Sequence, residues 1–163
     1  MRGCYLGIDP GVNGGWGILD GRGMIVACGS WSAWKDILPH RGQIRSAAIE
    51  RIQVRQDTTR QHAFRLATLV ENFGVWQGLC MAWEIPAVRI VHPRTWQTHF
   101  MLVIGSHLGK AMSKTQLARA KKELVLGTAR RLWPEAPLTR QKDDGIAVGL
   151  LLAEYLKQTW GRV

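Results

Sequence analysis

Apolar residues in the first fifty positions occur in short runs separated by glycine-containing turns, a pattern typical of β-strands. The first three runs follow one another closely, so we predict an antiparallel meander joined by tight turns. A fourth short run precedes Glu50, and a fifth lies between prolines. Five strands are therefore predicted, over residues 3–9, 16–20, 24–31, 45–50 and 86–93.

The rest of the chain favours helices. From His62 onward, apolar residues recur about every 3.6 positions, as they do on one face of a helix. The stretch "SKTQ" at 113–116 has the form of a capping box, and Pro134 ends the helix that follows it. A final amphipathic helix carries acids in its first turn, where they complement the helix dipole. Four helices are predicted, over residues 62–82, 94–102, 113–133 and 143–160.

The chain is strongly basic. Its 163 residues include 22 Lys and Arg against 12 Asp and Glu, a formal charge of +10, while 46% of the residues are hydrophobic. Such a composition predicts a globular core, and no repeat or linker divides the chain, so residues 1–163 are expected to form a single domain. A basic domain usually binds a polyanion such as nucleic acid, although merely soluble or membrane-surface proteins can share this charge.

Several classes of protein are disfavoured. No apolar run reaches the ~18 residues that span a bilayer, and the N-terminus lacks a signal-like segment. The three cysteines are far apart and lack CxxC spacing, which argues against a disulfide framework or a zinc site. The expected location is the cytoplasm of a bacterium or of a phage-infected bacterial cell.

Four of the twelve acids lie in apolar or glycine-flanked settings: Asp9, Glu50, Asp143 and Asp144. Each alone has a local explanation: a turn at Asp9, an ion pair between Glu50 and Arg51, or a helix cap at the two aspartates. Together, adjacent strand ends and the first turn of a packed helix can bring carboxylates to one place. Such carboxylates repel one another unless a cation lies among them, and Mg²⁺ prefers oxygen ligands of this kind. An acidic metal site in a basic surface is typical of metal-dependent nucleases.

The order of these acids, an early strand Asp, a mid-chain strand Glu and late helix acids, resembles that of the RNase H-like superfamily. The chain is most similar to the RuvC-type Holliday junction resolvases, especially their phage branch. The segments that carry the resemblance are "GIDPG" at 7–11, "AIER" at 48–51, "RTWQ" at 94–97, "KTQ" at 114–116, "ARRLWP" at 129–134 and "DDGIAVGLLLAEY" at 143–155. The resemblance implies an α/β, RNase H-like fold, with a mixed five-stranded sheet flanked by helices.

Carried over position by position, the resemblance implies that Asp9, Glu50 and Asp144 are catalytic metal ligands. The fourth ligand of the family is missing at the two positions where relatives carry it, which are Gln141 and Val148 in this chain. Asp143 is the nearby acid, so either it replaces the missing ligand or the two adjacent aspartates exchange roles.

The same resemblance implies that basic residues contact DNA. Lys114 matches a lysine that the family uses near phosphate. The polar stretch 51–61, predicted to be a loop or the frayed start of a helix, lies where resolvases place residues that enter the junction. The residues expected to bind DNA are Arg51, Arg55, Arg60, Lys110, Lys114 and Lys121. A solvated charged face is the alternative explanation for the lysines.

The resemblance therefore implies a homodimeric, structure-selective endodeoxyribonuclease that resolves four-way (Holliday) DNA junctions by metal-dependent phosphodiester hydrolysis. Mg²⁺ is the expected metal and Mn²⁺ should substitute, with one ion between Asp9 and Asp144 and a second between Asp9 and Glu50. No membrane partner and no small-molecule cofactor are expected. The alternatives are an RNase H-like nuclease for other branched DNA or structured RNA, and a junction-binding protein without catalysis.

Overall fold

The computed structural model describes residues 3–53, 60–105 and 111–160. Five strands form one mixed sheet in the order β3-β2-β1-β4-β5, in which β1, β2 and β3 are antiparallel neighbours and β4 runs parallel to both β1 and β5. The strands are β1 (Cys4–Asp9), β2 (Gly15–Leu19), β3 (Ile25–Ser30), β4 (Ile44–Glu50) and β5 (Ala87–Val91). The predicted meander and the predicted fifth strand are both confirmed.

The four predicted helices are also present. They are α1 (Arg60–Ala82), α2 (Pro93–His99), α3 (Lys114–Leu132) and α4 (Asp144–Trp160). The capping box is confirmed at the start of α3, because the Ser113 hydroxyl accepts from the Gln116 N–H at 3.2 Å and the Gln116 side chain accepts from the Ser113 N–H at 2.9 Å. None of the helices in the described residues is long and apolar enough to cross a bilayer.

Two 3₁₀ elements in the described residues have no counterpart in the sequence prediction: a short turn at Gln141–Asp143 and a longer segment. Residues Trp31–Gln43 form a run of 3₁₀ turns between β3 and β4. Ile37 is the residue that the run buries, and Pro39 interrupts it. The sequence therefore lacks the periodic apolar positions from which a helix is predicted.

The two faces of the sheet carry separate cores. Leu6 and Ile8 of β1 and Ile49 of β4 pack with Trp76 of α1 on one face. Ala48 and Leu19 pack on the other face with α4, α3 and α2. Because side chains alternate along a strand, β1, β2, β3 and β4 each contribute to both layers.

The helix α4 is more buried than predicted. An amphipathic pattern was expected, and this expectation is wrong for the first three turns, where nearly every side chain is covered. The buried residues are Gly145, Ile146, Ala147, Gly149, Leu150, Leu151, Leu152, Ala153, Glu154 and Leu156. The backbones approach closely because glycines face each other: a Cβ on Gly149 would lie 2.7 Å from Trp16 Cα, and one on Gly7 would overlap the Gly149 carbonyl oxygen.

Candidate functional site

Asp9 and Glu50 end two neighbouring strands. In the parallel pairing of β1 with β4, Ile8 lies opposite Ile49, so the two acids that follow lie side by side at the carboxyl ends of both strands. Ile8 and Ile49 are fully buried on the α1 face. The alternation of strand side chains therefore directs Asp9 and Glu50 to the opposite face, where α4 packs.

Asp9 both forms a hydrogen bond within the turn after β1 and lies near other charged side chains. Its Oδ1 accepts the N–H of Gly11 at 2.8 Å, as in the turn that Asp-Pro-Gly predicts. The pKa of Asp9 is raised to about 6, mainly by burial and further by the negative charge of Asp144. The hydrogen bond from Gly11 and the positive charge of Lys122 lower the pKa and oppose this rise. The turn and ligand interpretations of Asp9 are therefore compatible, since one oxygen serves the turn and the other is left for a partner.

Asp144 is the first residue of α4. The next residue, Gly145, bridges Gly14 in the β1–β2 loop, which holds the start of the helix beside the end of β1. Lys122 of α3 pairs with Asp144 Oδ2 at 2.8 Å. The other oxygen, Oδ1, is buried and has no hydrogen-bond partner among the described residues. An unsatisfied buried carboxylate oxygen is costly, so this atom is open to a cation or to another hydrogen-bond donor.

Glu50 is oriented by a buried tryptophan. The indole N–H of Trp96, in α2, donates to Glu50 Oε1 at 2.9 Å, and the Trp96 side chain is fully buried. Burial, followed by the charge of Asp9, raises the pKa of Glu50 to about 8, and the Trp96 hydrogen bond opposes this rise. In the sequence, Trp96 is notable only as part of the segment "RTWQ". Its requirement for an acceptor once buried is the signal that could have assigned it a role.

Asp143 is engaged elsewhere. Its carboxylate accepts from the Arg140 guanidinium at 2.8 Å and from the Arg140 backbone N–H at 2.8 Å, and the side chain is 3% exposed. Burial alone would raise the pKa of Asp143, but the side-chain and backbone hydrogen bonds from Arg140 lower it. The structure thus gives Asp143 a local capping role beside α4 and shows it paired with arginine.

The acids are neighbours but do not form a closed cage. In the part of the chain that the structure describes, no three His, Cys, Asp or Glu side chains lie close enough together to enclose a metal ion. Asp9 interacts with Glu50 and with Asp144 through their charges, and Lys122 holds one oxygen of Asp144. Carboxylates of this kind suit a hard divalent cation, and the unpartnered Asp144 Oδ1 leaves a ligand atom available. The donor set therefore fits Mg²⁺ by its chemistry.

The predicted DNA-binding residues are placed unequally. Lys121 lines an open cleft of about 320 Å³ with Gln53, Arg94 and Gln97, which are close in sequence to Glu50 and Trp96. Arg51 follows Glu50 with an exposed side chain, and Lys114 is exposed at the start of α3. Arg55 and Lys110 lie outside the described residues, and Arg60 begins α1 with a side chain that is not described.

A second cleft includes Asp143 among its lining residues. It has a volume of about 420 Å³ and is lined by the β1–β2 loop and the start of α4, together with Arg140 and Lys142. Arg94, Arg140 and Lys142 were not singled out from the sequence, because their position beside the acids depends on how the helices pack.

Replacing Glu50 with glutamine is expected to raise the melting temperature of the metal-free protein by several degrees at about pH 8. The folded protein keeps the Glu50 proton up to about pH 8, whereas the unfolded chain releases it near its ordinary pKa of 4.5. Wild-type stability should therefore fall as the pH rises from about 5 to about 8, and the glutamine variant should lose less. Glutamine also keeps the acceptor for the Trp96 indole.

Thermal unfolding followed by circular dichroism in EDTA measures this difference. The matched control is Glu71→Gln, which alters an exposed glutamate on α1 and should leave the pH dependence unchanged. Equal slopes for Glu50→Gln and Glu71→Gln would contradict the prediction.

Sequence comparison gives no match, either to a family model or to a curated protein. The fold does match a solved structure, that of T. thermophilus RuvC in complex with Holliday junction substrate. The likeness covers 96% of this chain and 96% of that chain, with a TM-score of 0.53 and 12% sequence identity. At this identity it establishes the fold: the chain has the RNase H-like α/β architecture, a mixed five-stranded sheet flanked by helices, as the sequence predicted.

Proposed function

We propose that residues 1–163 form a single-domain, structure-selective endodeoxyribonuclease that resolves four-way DNA junctions by metal-dependent phosphodiester hydrolysis. The observation that carries the proposal is the position of Asp9, whose charge interacts with Glu50 and Asp144 where β1, β4 and α4 meet. The RuvC-like fold and the formal charge of +10 support it. The segments 94–97 and 129–134 support a place in the phage branch.

Asp9, Glu50 and Asp144 are the residues that would hold Mg²⁺ or Mn²⁺. The bound ion supplies Lewis acidity for the attack of water on a phosphodiester. The chain's own contribution is to hold the carboxylates in place. The Gly11 N–H fixes Asp9 at the end of a rigid strand, and the Trp96 indole orients Glu50. Mutating a residue that hydrogen-bonds to a metal ligand typically lowers activity by roughly 10- to 100-fold.

The two clefts lined by basic residues are the proposed path for the DNA backbone. One carries Arg94 and Lys121, and the other carries Arg140 and Lys142. Positive side chains in these clefts attract phosphates and offset the repulsion between DNA and the carboxylates. Binding should accordingly weaken steeply as the salt concentration rises.

A homodimer is part of the proposal, because a four-way junction has two symmetric strands to cut and an isologous pair presents two sites. The outer face of α1 supports it. Phe64 is 80% exposed and Met81 is 77% exposed, and between them Gly74 and Gly78 have open space where a side chain would stand. An exposed apolar helix face with glycines at its centre can pack closely against the same face of a second copy.

Substituting arginine for Gly78 should convert this dimer to a monomer, because the charged side chain would be buried between two α1 helices. Light scattering coupled to gel filtration should give twice 18.3 kDa for the wild type and 18.3 kDa for Gly78→Arg. Gly127→Arg is the matched control, since Gly127 is an exposed helical glycine on α3 that also has open space around it. A monomeric wild type, or a dimeric Gly78→Arg, would refute this interface.

Cleavage of a substrate panel tests the function. The purified chain should nick a synthetic four-way junction in Mg²⁺ or Mn²⁺ and stop when EDTA is added. A flap, a linear duplex, an RNA–DNA hybrid and a structured RNA should be cut at least about tenfold more slowly, which corresponds to about 1.4 kcal/mol of transition-state discrimination.

Two other outcomes identify the alternatives. Faster cutting of another branched DNA or of RNA would indicate an RNase H-like nuclease with a different substrate. Tight junction binding without cleavage in any divalent metal would indicate a non-catalytic junction-binding protein, which the paired state of Asp144 and Lys122 and the open arrangement of the acids would then explain.

A further inference from the structure

Lys122 contacts the acidic centre, although its side chain is 44% exposed. Its ammonium lies 2.8 Å from Asp144 Oδ2, and this pair joins α3 to the first residue of α4. The charge of Lys122 also reaches Asp9. The neighbouring Lys121, by contrast, lines the open cleft beside Arg94.

Among the described residues the acids at the centre number three, and Gln141 and Asp143 are bound to other partners. Gln141 donates to Glu123 on the surface at 3.2 Å, and Asp143 is paired with Arg140. Val148, the other position at which a fourth acid could stand, packs against the core of the α4 face. Three carboxylates are balanced by one ammonium and one divalent cation, whereas a second divalent cation would leave the centre positively charged.

The two carboxylate oxygens of Asp144 have different surroundings. Oδ2 is occupied by the Lys122 ammonium, while Oδ1 is buried and has no partner among the described residues. One oxygen is therefore saturated by a cation that belongs to the chain, and the other remains available for a cation from solution. Asp9 and Glu50 are the other two acids of this centre.

We infer that the Lys122 ammonium takes the place of one of two cations at this centre, so that each chain binds a single divalent ion through Asp9, Glu50 and Asp144 Oδ1. This inference rests on the proposed function, and it adds a lysine-plus-one-metal arrangement to it. In this arrangement Lys122 positions Asp144 and supplies a fixed positive charge beside the scissile phosphate. The chain needs no fourth acid because it needs no second metal.

The number of Mn²⁺ ions bound per chain tests the inference without relying on cleavage. Free Mn²⁺ measured by electron paramagnetic resonance during titration of the full chain should show one tightly bound ion in the wild type. Lys122→Met should bind two, because both Asp144 oxygens become available and a positive charge is removed. Lys122→Arg keeps the charge and should bind one, and the control Lys121→Met should also bind one.

Two bound ions in the wild type would overturn the inference and leave the nuclease proposal standing, and this result does not depend on the folding of any variant. The inference would also be overturned if Lys122→Met bound one ion while its circular dichroism spectrum showed that it was folded. No bound Mn²⁺ in the wild type would instead remove the metal centre itself, and with it the proposed function.

Discussion

Asp9→Asn is expected to reduce cleavage of a four-way junction by at least about 10³-fold, the upper range for removing one preorganised electrostatic group from an active site. Asp9 is the acid whose charge interacts with both Glu50 and Asp144, so its loss disconnects the centre. Asparagine keeps an oxygen that can accept the Gly11 N–H, and the turn after β1 should survive. The measurement is single-turnover cleavage of a labelled junction in Mg²⁺.

Junction affinity should not fall in the same variant. Removing a carboxylate beside the phosphate path reduces repulsion, so gel-shift binding in EDTA should be equal to or tighter than that of the wild type. Asp36→Asn, which changes an exposed aspartate in the 3₁₀ segment, is the control and should cut normally. Cleavage by purified Asp9→Asn at a rate near that of Asp36→Asn would contradict the assignment of Asp9.

Gly7→Ala should destabilise the fold by about 3 kcal/mol or more, at the severe end of overpacking. A Cβ on Gly7 would overlap the Gly149 carbonyl oxygen and would lie 2.5 Å from the Ala153 backbone nitrogen, and neither backbone atom can move without shifting α4. Because Asp144 begins α4, the same shift would separate Asp144 from Asp9. Urea unfolding followed by tryptophan fluorescence measures the loss.

The matched control is Gly127→Ala on α3. Gly127 has no atom within 4 Å of an added Cβ, so alanine should stabilise the helix by about 0.5–1 kcal/mol through its higher helix propensity. The two glycine substitutions should thus have opposite signs. Similar unfolding free energies for both variants would show that the close approach of α4 to the sheet does not limit stability.

The strands and the placement of two acids could be predicted from local pattern. Short apolar runs with glycine turns located the meander, and an acid at the end of each of two strands placed Asp9 and Glu50 at one edge once those strands paired. Their pairing in parallel register, Ile8 opposite Ile49, is the one long-range fact that the prediction needed. The sequence alone allowed adjacent strand ends to meet, and the resemblance implied the mixed sheet in which they do.

The partners of the acids could not be predicted in the same way. The Trp96 indole bonds Glu50 across 46 positions of sequence, and Lys122 reaches Asp144 only because α3 packs against α4. Asp143 and Asp144 were indistinguishable as adjacent acids. Their separation depends on Arg140, whose side chain and backbone both bind Asp143. The 3₁₀ segment escaped prediction because it is held by burial of Ile37 and not by a periodic apolar face.

A crystal of the chain soaked in Mn²⁺ and measured near the manganese absorption edge tests most directly whether Asp9, Glu50 and Asp144 gather around a divalent cation. The expected result is an anomalous peak within ligand distance of Asp9 and of Asp144 Oδ1, with Glu50 completing the set. A map with no peak among these three acids, or with its peak on Asp143, would contradict the proposed centre.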